Sequence, residues 1–153
     1  MSAKAILFGS FLLAMVDCPA QAQIPKACDK LSVEISDAAA GWRVPRLLLT
    51  AVAFSESTCD PSAVNETSDA IGAFQILPGG SAAQGHSAEA LADPWLNTWL
   101  AAAHLAKWKK RCGTWLGAVT IFHGNERCRA RSGYAASVIR LWKTWEKQEE
   151  ARS

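Results

Sequence analysis

Residues 51–64 read AVAFSESTCDPSAV, and where this stretch sets its one carboxylate decides how the chain is read. Pro45 suits the first turn of a helix, and the pattern predicts that helix from about Arg46 to Ser57, closed by Cys59, Asp60 and Pro61. Leu49, Val52, Ala53 and Glu56 stand at i, i+3, i+4 and i+7, so they share one face. A carboxyl on an apolar face is partly desolvated, which disfavours its charged form and raises its pKa. A carboxylic acid that keeps its proton near neutral pH is what a general acid needs. The plain alternative is a carboxylate at a frayed helix end, in water.

The rest of the chain reads as helices around this one. In CDKLSVEISDAAAGW, Leu31, Ile35, Ala38, Ala39 and Trp42 fall on one helical face, and Gly41 is the expected stop. A loop rich in small residues is expected from CDPSAVNETSDAIG through PGGSAAQGH. Asp93 is placed as the N-cap of the next helix, with Pro94 at its first position and Lys and Arg in its last turn, where they suit the helix dipole. GTWLGAVTIFH predicts a largely buried helix. In GYAASVIRLWKTWEK, Tyr134, Val138, Leu141, Trp142 and Trp145 form one stripe. No alternating strand pattern, repeat or linker stands out, so the expectation is one compact all-α domain over 23–145, with a polar tail at 146–153.

Composition sets bounds. A chain of 153 residues, half of them hydrophobic, can bury one core. A net charge of +2 lacks the basic stripe of a nucleic-acid binder. Lys4, the run AILFGSFLLAMV and the small-residue site Ala20-Gln21-Ala22 form a signal-peptide pattern over 1–22, with cleavage expected after Ala22. The run is shorter than the ~20 residues a membrane span needs; an uncleaved segment is the one route to a membrane. Cys18 would leave with the signal, and its surroundings fit a lipoprotein site poorly.

Cys28, Cys59, Cys112 and Cys128 remain, an even set that in an exported chain predicts two disulfides in one of three connectivities. There is no CxxC to favour zinc or redox chemistry. Cys28 precedes the first helix and Cys59 follows the second; two helices joined by a tight turn run antiparallel and bring those ends together, within the ~7 Å that a disulfide allows. That leaves Cys112–Cys128 across the helix from Gly113 to His123, which is about 16 Å long at ~1.5 Å per residue. Extended at about 3.3 Å each, Gly124 to Cys128 can just return over it.

The order ESTCDPSAVN, AIGAFQILP, DPWLN, GAVTIFHGN and SGYAASVIRLW resembles the soluble lytic transglycosylase family, whose catalytic domain is lysozyme-like. That family ends a helix in a Glu-Ser pair, here Glu56 and Ser57. A Gly-Leu-Met-Gln type motif follows, here Gly72-Ala73-Phe74-Gln75, and then an Asp-Pro-x-x-Asn helix start, here Asp93, Pro94 and Asn97. The correspondence covers roughly Cys28 to Trp142, and the small size and signal pattern look most like members that accompany conjugation, secretion and pilus machines.

The resemblance implies cleavage of the β-1,4 bond between N-acetylmuramic acid and N-acetylglucosamine in bacterial peptidoglycan, in the periplasm or outside the cell. It implies Glu56 as sole catalytic carboxyl, ring closure to a 1,6-anhydro sugar, and no metal or cofactor. Ser57 would steady the site, Gln75 would line the sugar cleft, and Gly72 would let the backbone approach the glycan. Asp60 and Glu66 do not stand where a second catalytic carboxylate is expected. The family's Ala-Tyr-Asn motif is altered. Ile121-Phe122-His123-Gly124-Asn125 occupies the matching region, Phe122 takes the tyrosine place without its hydroxyl, and His123 or Asn125 is the candidate for the polar role. The altered motif keeps two other readings open, a hydrolase with the same acid and a non-catalytic wall-binding assembly factor. The seven tryptophans read mainly as core, His86 and His104 as structural or surface, and KWKKRC as a solvated helix end. The NET sequon at Asn65 has no role in a bacterial context.

Overall fold

The computed structural model describes residues 23–153; the signal pattern over 1–22, with Cys18, lies outside the described residues. A short 3-10 turn, Lys26–Leu31, leads into α1 (Ser32–Trp42). Then come α2 (Arg46–Ser57), the single turn α3 (Ala88–Leu91), α4 (Pro94–Cys112), α5 (Trp115–Phe122) and α6 (Gly133–Glu150). No strand forms among the described residues; two isolated bridges, Val64 with Ile71 and Ile71 with Ile76, fold the long loop onto itself. No helix among the described residues is long and apolar enough to cross a membrane.

The caps explain where the later helices begin. Asp93, Thr114 and Ser132 each accept a hydrogen bond from a backbone N–H in the first turn of α4, α5 and α6, satisfying a donor that the helix leaves open. Helix α2 is the centre of the core. Every residue from Leu47 to Ala53 is buried, so between Arg46 and its last turn this helix has no solvated face. It packs against α1 on one side and α6 on another, while α4 packs against α1 and α5.

Two expectations change. Gly41 does not stop α1, which continues to Trp42 and ends with Arg43 in the left-handed region. A Cβ at Gly41 would lie 2.6 Å from Cη2 of Trp99; the glycine is there to let an indole of α4 press onto the α1 backbone. The stretch 146–153, expected as a polar tail, carries α6 on to Glu150, where an ion pair between Arg46 and Glu149 ties it to the start of α2.

Cys28 pairs with Cys59 and Cys112 with Cys128, with Cα separations of 5.0 and 5.5 Å. The first bridge clamps α2 immediately beyond Glu56; the second closes the loop after α5. Non-reduced peptide mapping of the protein is expected to return these two linked peptides. A Cys28–Cys112 or Cys28–Cys128 peptide would refute the pairing. Each bridge is worth about 2–4 kcal/mol.

Candidate active site

Glu56 lies in the last turn of α2. Leu49, Val52 and Ala53, its face-mates, are fully buried, and the Glu56 carboxyl is half-buried at the edge of that apolar surface. Burial raises its pKa above the ordinary 4.5; a hydrogen bond from the Tyr134 hydroxyl and the electrostatic influence of the neighbouring His123 oppose the rise and do not cancel it. Tyr134 donates that bond to Oε1 of Glu56 from the first turn of α6. Burial, together with the Glu56 charge, holds the tyrosine hydroxyl above its usual range, so it stays a donor. His123, at the end of α5, stacks on the Tyr134 ring with centroids 3.9 Å apart and planes 7° apart. Three helix ends thus meet at one carboxyl.

The loop after α2 is held by side chains rather than by strands. Ser57 donates to the Ala73 carbonyl at 2.9 Å and accepts from the Asp60 N–H at 2.9 Å, which ties the segment 72–75 to the helix end carrying Glu56. Gln75 donates from Nε2 to the Gly72 carbonyl at 3.0 Å, bracing the same turn. Asn97 carries the largest share. Its Oδ1 accepts from the Phe74 N–H at 3.1 Å, and its Nδ2 donates to the carbonyls of Ile71 at 2.9 Å and Leu91 at 3.0 Å. Asn97 is 1% exposed, so these backbone groups have no water in reach. Gly72 sits at φ +77°, and a Cβ there would come within 2.6 Å of Asn97 Cγ. The close approach that demands glycine within the fold is to Asn97.

The altered motif resolves differently from the sequence expectation. Phe122 packs its ring edge-on to the buried His104, centroids 5.8 Å apart, and against the core. Burial, with the charge of Lys107 adding to it, drops His104 to about 4, so this imidazole is neutral and structural. The hydroxyl expected to be missing comes from Tyr134, twelve positions beyond Phe122. Asn125 does not reach Glu56; its backbone N–H and its Nδ2 both donate to the Thr120 carbonyl, at 3.2 and 3.1 Å, and close the end of α5. Of the altered motif, only His123 joins the Glu56 group.

The other carboxylates near this end of α2 are engaged elsewhere. Asp60 accepts from Ser62, which holds its carboxylate below the usual range, and it lies 3.7 Å from Lys30. Glu66 is exposed on the loop. Among the described residues no three His, Cys, Asp or Glu side chains converge as a metal site would require. A single carboxyl in a half-dry setting, hydrogen-bonded by a phenol, is chemically able to serve as a general acid and base. The transglycosylase SLT domain model matches residues 34–152, most of the chain and every residue of this site. The chain belongs to the transglycosylase SLT family. Among curated proteins no sequence matches it.

The helical architecture is that of the lysozyme-like SLT fold, and the family's activity is peptidoglycan cleavage of the lytic-transglycosylase type. Within this SLT domain, Tyr134 is the residue that sequence reasoning left on the core stripe. It is the sole tyrosine of the chain, and a buried tyrosine hydroxyl needs a partner; Glu56 was the apolar-face carboxyl lacking one. Two substitutions check the assignment together. Tyr134→Phe is expected to lower glycan cleavage about tenfold or more, the worth of one hydrogen bond to a charged group. It should also move the alkaline limb of the rate profile to higher pH, because the bond it removes lowers the Glu56 pKa. Phe122→Tyr is expected to give no gain. A faster Phe122→Tyr enzyme, or a Tyr134→Phe enzyme with an unchanged pH profile, would return the role to Phe122.

Two of the seven tryptophans are more exposed than the core reading allows. Trp42 and Trp95 are 39% and 46% exposed, and both pack on Trp99, Trp42 edge-on and Trp95 stacked at 5.0 Å.

Proposed function

We propose that the protein is an exported lytic transglycosylase that cleaves the β-1,4 bond between N-acetylmuramic acid and N-acetylglucosamine and releases a 1,6-anhydro end. The observation that carries this reading is the half-buried Glu56 carboxyl hydrogen-bonded by Tyr134. Burial raises the carboxyl's pKa and so favours its protonated form, and that proton goes to the leaving glycosidic oxygen. The substrate's own N-acetyl group stabilises the oxocarbenium-like centre. Glu56, now a carboxylate, accepts the proton of the sugar's C6 hydroxyl as that oxygen closes on C1. The enzyme ends in its starting protonation state and no water is consumed. Tyr134 holds Oε1 throughout, and its bond strengthens while the carboxylate bears charge.

Hydrolysis through the same fold commonly uses a second carboxylate, and the turn of Asp60 toward Lys30 favours the one-carboxyl route. The non-catalytic wall-binding reading rested on a missing hydroxyl, and Tyr134 removes its motive. In this proposal the signal pattern directs the protein to the periplasm or beyond, where it opens the wall locally for a secretion, conjugation or pilus machine. Digestion of purified peptidoglycan, followed by mass spectrometry, decides the chemistry. Anhydro-muropeptides are the expected product, reducing ends would make the protein a hydrolase, and an intact wall would make it a binding factor.

A further inference from the structure

The outer side of α5 and α6 carries a second feature, facing away from the stripe that bears Tyr134. Two adjoining concavities of about 420 Å³ each share Leu116 and Ala136. Their floor is apolar: Leu116, Ala136 and Ile139, with Leu116 48% exposed. Their rim is basic, with Arg140, Lys143 and Lys147 along α6 and Arg129 and Arg131 on the loop before it, and no acidic side chain lines either concavity. Lys143 is paired with Glu146 at 2.8 Å, which leaves four rim charges in excess on a chain whose net charge is +2. Ala136, Arg140, Lys143 and Lys147 follow one another at helical spacing, so the groove runs about 16 Å along α6 at ~1.5 Å per residue.

We propose that this groove docks an acidic amphipathic segment of another protein, apolar side chains on the floor and carboxylates against the rim. Three features select that occupant. Charge complementarity requires an anion. The apolar floor would be wasted on a phosphate polymer, and it holds no aromatic ring for a sugar to stack on. The two adjoining concavities together form an elongated track along α6, which fits one helix or extended strand. The inference does not depend on the glycan chemistry, since its readout is binding.

The test uses a fluorescent synthetic peptide of about 16 residues with leucines at i, i+3, i+4 and i+7 and Asp or Glu elsewhere. Controls are a peptide of the same composition with scrambled leucines, an all-Glu peptide, and phosphatidylglycerol vesicles. The amphipathic peptide is expected to bind the full chain, and Leu116→Ser and the Arg140→Glu/Lys147→Glu pair are each expected to weaken it by at least about tenfold, with peptidoglycan cleavage and helicity unchanged. Equal binding of the scrambled or all-Glu peptide would overturn the proposal by showing charge attraction alone. Vesicle binding without peptide binding would assign the face to lipid and overturn it too, as would affinity indifferent to both variants.

Discussion

Replacing Glu56 by glutamine is expected to remove glycan cleavage while the fold stays intact. Glutamine keeps the shape and can still accept from Tyr134, but it can neither give nor take the proton. General acid–base help is worth about 10²–10⁴-fold, and in the proposed mechanism one carboxyl makes both transfers, so the loss belongs at the upper end. Stability should move the other way. Because burial raises the Glu56 pKa above 4.5, the native state holds that proton more tightly than the unfolded chain. Wild-type stability therefore falls as pH rises from 4.5 through the raised value. Glutamine does not titrate, so the variant's advantage over wild type should grow through that window and level off above it. Product analysis by mass spectrometry and denaturant unfolding across pH read the two effects separately. Anhydro-muropeptides released by the variant at near the original rate would remove Glu56 from the mechanism.

The second large effect is expected at Asn97. Asn97→Ala leaves the Phe74 N–H and the Leu91 carbonyl without a partner, and leaves the Ile71 carbonyl only the Ile76 N–H. An orphaned buried polar group costs about 1–3 kcal/mol, and some water will enter the space left, so a loss of roughly 3–5 kcal/mol is expected in urea or guanidinium unfolding. Activity should fall as well, because Ala73 on the released loop is tied through Ser57 to the helix end that holds Glu56, and Gln75 braces the same turn. A double-mutant cycle sharpens the test. Gly72→Ala collides with Asn97 at 2.6 Å, so it should cost less in the Asn97→Ala background, although the penalty of alanine at φ +77° remains. Additive costs, or an Asn97→Ala loss under about 1 kcal/mol, would mean that the loop is held by something else.

Much of the molecule follows from local rules. The spacing of Leu49, Val52, Ala53 and Glu56 dictates a carboxyl at the edge of an apolar face, and Asp93 with Pro94 dictates where α4 starts, because both effects act within two turns of helix. The cysteine arithmetic follows from helix lengths and chain reach. The partner of that carboxyl does not. Tyr134 is 78 positions from Glu56, and its periodicity says only that it faces inward; which group its hydroxyl meets depends on how α6 lies across the end of α2. The same holds for Phe122 against His104, for Gly41 under Trp99, and for Gly72 against Asn97. Each is a contact between elements remote in sequence, decided when helices pack side by side, and a pattern of period 3.6 carries no information about which neighbour fills the opposite side of a contact. Sequence alone thus set the helices and the acid, while tertiary packing chose the phenol that steadies the acid and the buried amide that holds its loop.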